Sequence, residues 1–316
     1  MAVNLDKPQR WKEDVALSVD MYNQWFLDFA PETFRATRIT ATASVESSLQ
    51  VTSYLRNIRP ETMRATPSIL STLRMATCPP LAVDRLIGLA GVNPNLVKTM
   101  EKEGRLPARM PAATLVTELQ KIGNIIERMA DPDIFVWLAR GSEPTHDEIH
   151  RAATIVADRL CGAQANPIIR NEQEKRQLEN IKVWLEARGY TEVEPDARVD
   201  FQDMDPGTFS FRLNVKVRGG TVNIPVDAVI MPINAELGDL PLLIEAKSAG
   251  DFTNTNKRRK EEATKMAQLK ESYGNDVSFV LFLCGYFDSG YLGYEAAEGI
   301  DWVWEHRIED MVELGL

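Results

Sequence analysis

The chain has 316 residues, of which 44% are hydrophobic and 26% charged, and its formal net charge is −10. This composition excludes collagen-like and broadly disordered proteins, and the length predicts roughly two domains, each large enough for its own core. No apolar run is long enough to span a bilayer, and the three cysteines are too widely spaced for a disulfide framework or a thiolate metal site. We therefore expect a cytoplasmic protein.

Charge is unevenly distributed along the chain. Segment 53–109 has nine basic and four acidic residues, whereas segment 285–316 has eight acidic residues and one arginine. A polyanion responds to the local field more than to the net charge of its partner. The acidic total therefore neither excludes nor predicts nucleic acid as a partner.

Helical patterns dominate the first half of the chain. A helix is predicted to begin near Pro8, with apolar residues at helical spacing, and to end at Pro31. The other predicted helices cover about 44–57, 60–75, 81–104, 111–130 and 145–163. We expect residues 1–165 to form a mostly helical region.

One stretch of this region, LIGLAGVNPNLVKTMEKEGRLP, has the pattern of a helix-turn-helix. Gly91 would be the turn, Asn93–Glu103 the second helix and Gly104 its C-cap, with Lys98 on the outer face. A plain helical hairpin has the same pattern, so both interpretations stay open.

The pattern changes after Asn166. A helix is predicted over 171–188, and three strands follow: TFSFRLNVKV, TVNIPVDAVIM and LPLLIEAK. Short hairpin connections join them, and a helix over 256–273 then leads to the buried strand VSFVLFLCGYF. The order α-β-β-β-α-β predicts a mixed α/β domain over 166–316, with a mixed sheet flanked by helices.

Three charged residues lie within these apolar strands. Asp227 is in the middle of one strand, and Glu245 and Lys247 share one face of the next. If the strands pair as a hairpin, the three side chains converge, and two carboxylates on a rigid sheet can hold Mg²⁺. Lys247 can orient an attacking water and stabilise a charged transition state. The alternative, a solvated Glu–Lys pair at a sheet edge, is disfavoured by the apolar run PLLIEAK.

These residues resemble a known nuclease core. VDAV, followed by EAK eighteen residues after Asp227, in this order of elements, resembles the PD-(D/E)xK motif, although Val226 stands where that motif usually has Pro. Longer segments are similar to type II restriction endonucleases of the XamI/SalI type. They are KPQRWKEDVALSVDMYNQWFLDFAP, ADRLCGAQANPIIRNEQEKRQLE, NIPVDAVI, PLLIEAKSAGDFTNTNKRRKEEATK and FLCGYFDSGYLGYEAAEGIDWVWEHRI.

The resemblance implies a homodimer that uses Mg²⁺ to hydrolyse both strands of a palindromic site in double-stranded DNA. It implies GTCGAC as the site, cut after the first G to leave 5′ overhangs, and a cognate DNA methyltransferase that protects the host. Asp227 and Glu245 would hold the metal and Lys247 would position water. Residues 166–316 would be the PD-(D/E)xK catalytic domain, and 1–165 a DNA-binding or structural region.

A third acid is often present at such sites. Glu174 lies one turn before the apolar stripe Leu178, Ile181 and Leu185 of the predicted helix, which makes it a candidate third catalytic carboxylate. An acid near a helix N-terminus also simply favours the helix dipole, so this alternative stays open.

A basic segment follows the motif. Its basic residues lie in the first turn of the predicted helix 256–273, where positive charge is unfavourable because of the helix dipole. A bound DNA phosphate would make these charges favourable. The alternative is a solvated basic turn whose charge is balanced by neighbouring acidic residues. Asparagines here could reach base edges. The predicted DNA-binding residues are Asn254, Asn256, Lys257, Arg258, Arg259 and Lys260, together with Lys98.

Two other functions compete with a restriction endonuclease. One is a repair or junction nuclease of the same core, which would cut by DNA structure. The other is a non-enzymatic DNA-binding regulator that uses the 86–104 hairpin, with Asp227, Glu245 and Lys247 structural only.

Overall fold

The computed structural model describes residues 2–195, 200–217, 219–220, 222–252 and 255–316, with the backbone alone for 255–258. The chain forms two compact units. One combines the residues up to Phe29 with those from Arg170 onward, and the other is Ala30–Ile169. This division differs from a single boundary near residue 165, because the first 29 residues belong with the sheet. Among the described residues, no helix is long and apolar enough to cross a membrane.

The unit Ala30–Ile169 has a helical core. Its short helices are α2 (Pro60–Ala65), α3 (Leu70–Met75), α4 (Val83–Ala90), α5 (Pro94–Glu103), α6 (Ala112–Met129) and α7 (Trp137–Arg140). Apolar side chains such as Leu49, Leu73, Leu119 and Trp137 are fully buried there. The helical composition predicted for this region is confirmed.

Two helices are longer than predicted. Helix α1 covers Pro8–Val51 and helix α8 covers His146–Glu186, so each contains a proline, Pro31 or Pro167, and each crosses a unit boundary. The prediction that Pro31 ends the first helix is wrong, as is that of separate helices over 145–163 and 171–188. Proline removes one hydrogen bond to the carbonyl four residues earlier. Leu27 and Ala163 carry these carbonyls and are exposed, so water can serve as the partner.

The predicted hairpin forms between α4 and α5. Gly91 and Gly104 both have left-handed backbone angles, with φ of 59° and 60°, and end the two helices. Asn93 caps α5 by accepting a hydrogen bond from the amide of Asn95 at 2.8 Å. These features confirm the turn and both caps, and they fit a helix-turn-helix and a plain hairpin equally.

The other unit contains a six-stranded mixed sheet. Its strands are β1 (Thr191–Glu192), β2 (Thr208–Val217), β3 (Val222–Ile230), β4 (Leu242–Ala249), β5 (Phe279–Gly285) and β6 (Asp301–Trp304), in spatial order of sequence. The pairs β2–β3 and β3–β4 are antiparallel, and the other pairs are parallel. Helices α9 (Thr255–Tyr273) and α10 (Ser289–Ala297) provide the crossovers. The predicted mixed α/β class and hairpin connections are confirmed.

Helices cover both faces of this sheet. Helix α8 packs Leu178, Ile181 and Leu185 on one face, and Met266 of α9 and Leu292 of α10 lie in the core of the other. Strand β5 lies between β4 and β6, and every one of its residues is buried, as its apolar sequence predicts. The charged residues of β3 and β4 therefore lie in a sheet whose two faces are covered mainly by apolar side chains.

The faces of β3 do not follow a simple alternation. Strand periodicity alone would place Val226, Ala228 and Ile230 on one face, but Val226 and Val229 lie in one core cluster and Ala228 and Ile230 in the other. The break coincides with Arg212 of β2, which has a φ of 55° and lies between two residues paired with Ala228 and Val226. A left-handed residue twists a strand locally, which changes the direction of neighbouring side chains.

Candidate active site

The site lies where strands β3 and β4 separate. Their last paired residues are Ala228 and Ile244, so the next residues along the two strands are Asp227 and Glu245. There the Oδ2 atom of Asp227 accepts a hydrogen bond from the backbone N–H of Ala246 at 2.8 Å. The Asp227 carboxylate thus accepts a strand-to-strand hydrogen bond of the kind that a backbone carbonyl accepts where strands are paired. This hydrogen bond fixes Asp227 beside β4.

Glu245 receives two ammonium groups on one oxygen. Its Oε1 atom lies 2.7 Å from Nζ of Lys247 and 2.6 Å from Nζ of Lys265 in helix α9. The Lys265 ammonium also donates to the carbonyl of Pro225 at 3.2 Å. Asp227, Glu245 and Lys247 therefore converge as the strand pattern predicts, and Lys265 joins them.

Burial sets the electrostatics of the site. Burial raises the pKa of Asp227, and the negative charge of Glu245 raises it further, to about 6. The hydrogen bond from the Ala246 amide opposes this shift. Burial lowers the pKa of Lys247, but the Glu245 carboxylate outweighs it and the net change is upward. The two carboxylates therefore repel each other in a poorly solvated place, which favours a cation between them.

The donor set fits a hard divalent cation. Glu245 is 5% exposed, and its Oε2 atom is buried without a hydrogen-bond partner in the described part of the protein. An unpartnered buried carboxylate oxygen is costly unless a cation or donor reaches it. Asp227 and Glu245 could hold Mg²⁺, which accepts one or two carboxylates and fills its other positions with water and phosphate.

Glu174 lies near the site but is engaged elsewhere. Its Oε1 atom lies 3.0 Å from Nη2 of Arg212, and its charge contributes weakly to the raised pKa of Asp227. Within the described ranges, no group of three or more His, Cys, Asp or Glu side chains converges on a possible metal position. The structure thus brings two carboxylates together, with Glu174 outside their immediate contact.

The predicted DNA-binding residues are only partly described. Asn254 lies outside the described residues, as do the side chains of Asn256, Lys257 and Arg258. Helix α9 begins at Thr255, so Asn256 lies within the helix. The guanidinium of Arg259 lies 4.8 Å from the ring centre of Tyr294, and Lys260 is exposed. Lys98 is exposed on α5, with its Nζ 3.7 Å from Asp84.

Two residues at the site were not predicted from the sequence. Besides Lys265, the buried side chain of Gln177 in α8 donates to the carbonyls of Lys247 and Phe282, at 3.3 and 3.2 Å. It fixes the backbone of the predicted catalytic lysine to the neighbouring strand. Gln177 is close in sequence to Leu178, but nothing in the pattern distinguishes it from an exposed glutamine.

A mixed sheet with a buried carboxylate pair is compatible with a metal-dependent nuclease, and comparison with known proteins defines the class as restriction endonuclease. The sequence profile of the XamI restriction endonuclease family matches residues 53–304. The chain is 55% identical to the type II restriction enzyme SalI of Streptomyces albus G, over 99% of both chains. It is 26% identical to the type II restriction enzyme XamI of Xanthomonas campestris pv. amaranthicola, over 62% of this chain and 64% of that protein. No solved structure matches the chain.

The chain belongs to the XamI restriction endonuclease family. It is a type II restriction endonuclease, which agrees with the family resemblance in the sequence.

Proposed function

We propose that the protein is a Mg²⁺-dependent homodimer that cuts both strands of a palindromic DNA site through Asp227, Glu245 and Lys247. The proposed site is GTCGAC, cut after the first G to leave 5′ overhangs. The sheet unit would be a PD-(D/E)xK nuclease fold, and a cognate DNA methyltransferase would protect host DNA. The similarity to the type II restriction enzyme SalI over 99% of the chain supports site-specific cleavage of DNA, and the site geometry supports the chemistry.

One observation carries the chemistry, the convergence of the three residues where β3 and β4 separate. A divalent cation held there would offset the negative charge that builds up on the phosphoryl oxygens. Asp227 and Glu245 would hold it, and the Ala246 amide keeps Asp227 oriented. The Lys247 ammonium lies beside the carboxylates, where it can orient the attacking water and stabilise a charged phosphate. Glu174 would join only after releasing Arg212.

DNA would reach the site along the start of helix α9. In this proposal the basic side chains there contact DNA phosphates, and the asparagines read base edges. These residues are Asn254, Asn256, Lys257, Arg258, Arg259 and Lys260. Lys98 would be a further contact with the DNA backbone. Two copies of the chain related by a two-fold axis would match the symmetry of a palindrome and place one site on each strand.

Digestion of DNA of known sequence with Mg²⁺, read at nucleotide resolution, tests the proposal. We expect discrete fragments with ends at GTCGAC, and no cleavage once the Mg²⁺ is chelated. Asp227→Ala and Lys247→Ala should lower the cleavage rate at least about a hundredfold, while DNA binding survives. The control Glu236→Gln neutralises an exposed carboxylate in the β3–β4 connection and should cut normally.

Two outcomes would reject parts of this proposal. Full cleavage by either alanine variant would reject the assigned roles. Cleavage only at branched or damaged DNA, without discrete bands from an intact plasmid, would instead indicate a structure-specific nuclease of the same core.

A further inference from the structure

Lys265 stands out because it binds the same carboxylate oxygen as Lys247 but comes from a different element. Its Nζ atom lies 2.6 Å from Glu245 Oε1 and 3.2 Å from the carbonyl of Pro225. Its side chain is 21% exposed, whereas that of Glu245 is 6% exposed. The ammonium thus bridges β3 and β4 at the point where their pairing ends, from the solvent side of a buried carboxylate.

The second lysine changes the charge balance of the site. Asp227 and Glu245 contribute two negative charges, and Lys247 and Lys265 contribute two positive charges within contact distance of Glu245. The carboxylates of Glu174 and Glu262 act on the site only from beyond ion-pair distance. A carboxylate pair with one lysine keeps a net negative charge that attracts a divalent cation. With two lysines that attraction is largely cancelled, and an arriving cation is also repelled by both ammonium groups.

We propose that Lys265 is a positioning residue that holds Glu245 in the metal-free protein and suppresses Mg²⁺ binding until DNA is present. This inference rests on the proposed metal site at Asp227 and Glu245. The phosphate of bound DNA restores negative charge to the site, so the cation and the DNA bind cooperatively. Lys265 leaves Glu245 for solvent or for a phosphate oxygen when the cation takes that carboxylate.

The position of Lys265 in helix α9 suits this coupling. It is seven residues, or two helical turns, after Arg258, one of the basic residues proposed to meet DNA phosphates, so the two positions are about 10 Å apart along the axis and on the same side of the helix. Lys247, by contrast, is on the same strand as Glu245, and its backbone is held by Gln177. The backbone of Lys265 lies outside the sheet, so its side chain can leave Glu245 without any change in the backbone of β4.

Calorimetric titration of the DNA-free protein with Mg²⁺ alone, at fixed pH, tests the inference. Lys265→Met should tighten Mg²⁺ binding at least about tenfold relative to wild type, because one repelling charge and one competitor for Glu245 are gone. Lys265→Arg keeps the charge and should retain weak binding. Lys270→Met, which removes a lysine elsewhere on α9, should also leave the affinity unchanged. Lys265→Gln repeats the test if the methionine variant does not fold.

The outcomes separate the two proposals. Tighter binding in Lys265→Met that is lost in the double variant Lys265→Met/Glu245→Gln supports the inference. Unchanged or weaker Mg²⁺ binding in both Lys265→Met and Lys265→Gln overturns it, as does equal tightening in Lys265→Arg. Neither result decides the proposed function, which depends on whether wild-type protein cuts DNA with Mg²⁺ and loses cleavage in Asp227→Ala.

Discussion

Glu295 of helix α10 should make the protein less stable as the pH rises. The residue is fully buried, and burial, followed by the charge and hydrogen bond of Glu262, raises its pKa to about 9. The Glu262 carboxylate, itself 1% exposed, accepts a hydrogen bond from the Tyr291 hydroxyl at 2.7 Å. The folded protein therefore keeps a proton on Glu295 that the unfolded chain releases near the ordinary pKa of 4.5.

The size of the effect follows from proton linkage. Between the unfolded and folded pKa values the native state binds one more proton, so the free energy of unfolding falls by about 1.4 kcal/mol per pH unit. Glu295→Gln removes this titration and keeps the shape of the side chain. Relative to wild type, the variant should therefore gain about 3 kcal/mol between pH 6 and pH 8.

Urea unfolding at pH 6, 7 and 8 measures this difference. Five of the six tryptophans belong to the unit that contains the sheet, so tryptophan fluorescence mainly reports the unfolding of that unit. The control Glu298→Gln neutralises an exposed glutamate at the end of α10, and its difference from wild type should be independent of pH. A Glu295→Gln difference that is constant with pH, or that shrinks as the pH rises, would refute the reasoning.

Two further predictions concern stability, and both are checked by urea unfolding. Arg74→Met should lower the free energy of unfolding of the helical unit by about 3–5 kcal/mol. Arg74 forms two hydrogen bonds of 2.9 Å with the Glu101 carboxylate, and both side chains are only 10% exposed. A loss below about 1 kcal/mol would mean that the ion pair is solvated. Gly285→Ala should cost the sheet unit at least about 2 kcal/mol, since φ is 99° and a Cβ atom would lie 2.2 Å from the Ala249 carbonyl oxygen. Gly162→Ala, at a helical position where nothing beyond the adjacent helix backbone lies within 4 Å of the added carbon, is its control and should be neutral or stabilising.

The convergence of Asp227, Glu245 and Lys247 could be predicted because it depends on local rules. Strand periodicity places Glu245 and Lys247 on one face, and short connections make neighbouring strands antiparallel. Together these rules bring Asp227 opposite Glu245 without any knowledge of how helices pack. The apolar sequence of β5 likewise predicts that this strand is buried between two others.

Lys265 could not be predicted in the same way. Its contact with Glu245 depends on where helix α9 lies across the sheet and on its rotation about its axis. Neither is encoded in the spacing of one lysine among several on that helix. The left-handed Arg212 is similar, since its conformation redirects side chains of β3 but arginine has no particular preference for it.

Pro31 shows how tertiary context overrides a local signal. Proline inside a helix costs about 3 kcal/mol, which alone predicts that the first helix ends there. Tyr22 before the proline and Val45 and Leu49 after it are buried, so packing stabilises α1 on both sides of Pro31. A sequence window around Pro31 contains none of that information.

The β3–β4 connection lies at the far end of its hairpin from the carboxylates. Three residue pairs, about 10 Å of strand, separate this turn from the point where the strands part. Leu237 at its tip is fully exposed. A fluorophore or an affinity handle attached there would report on the protein or immobilise it without covering the carboxylates.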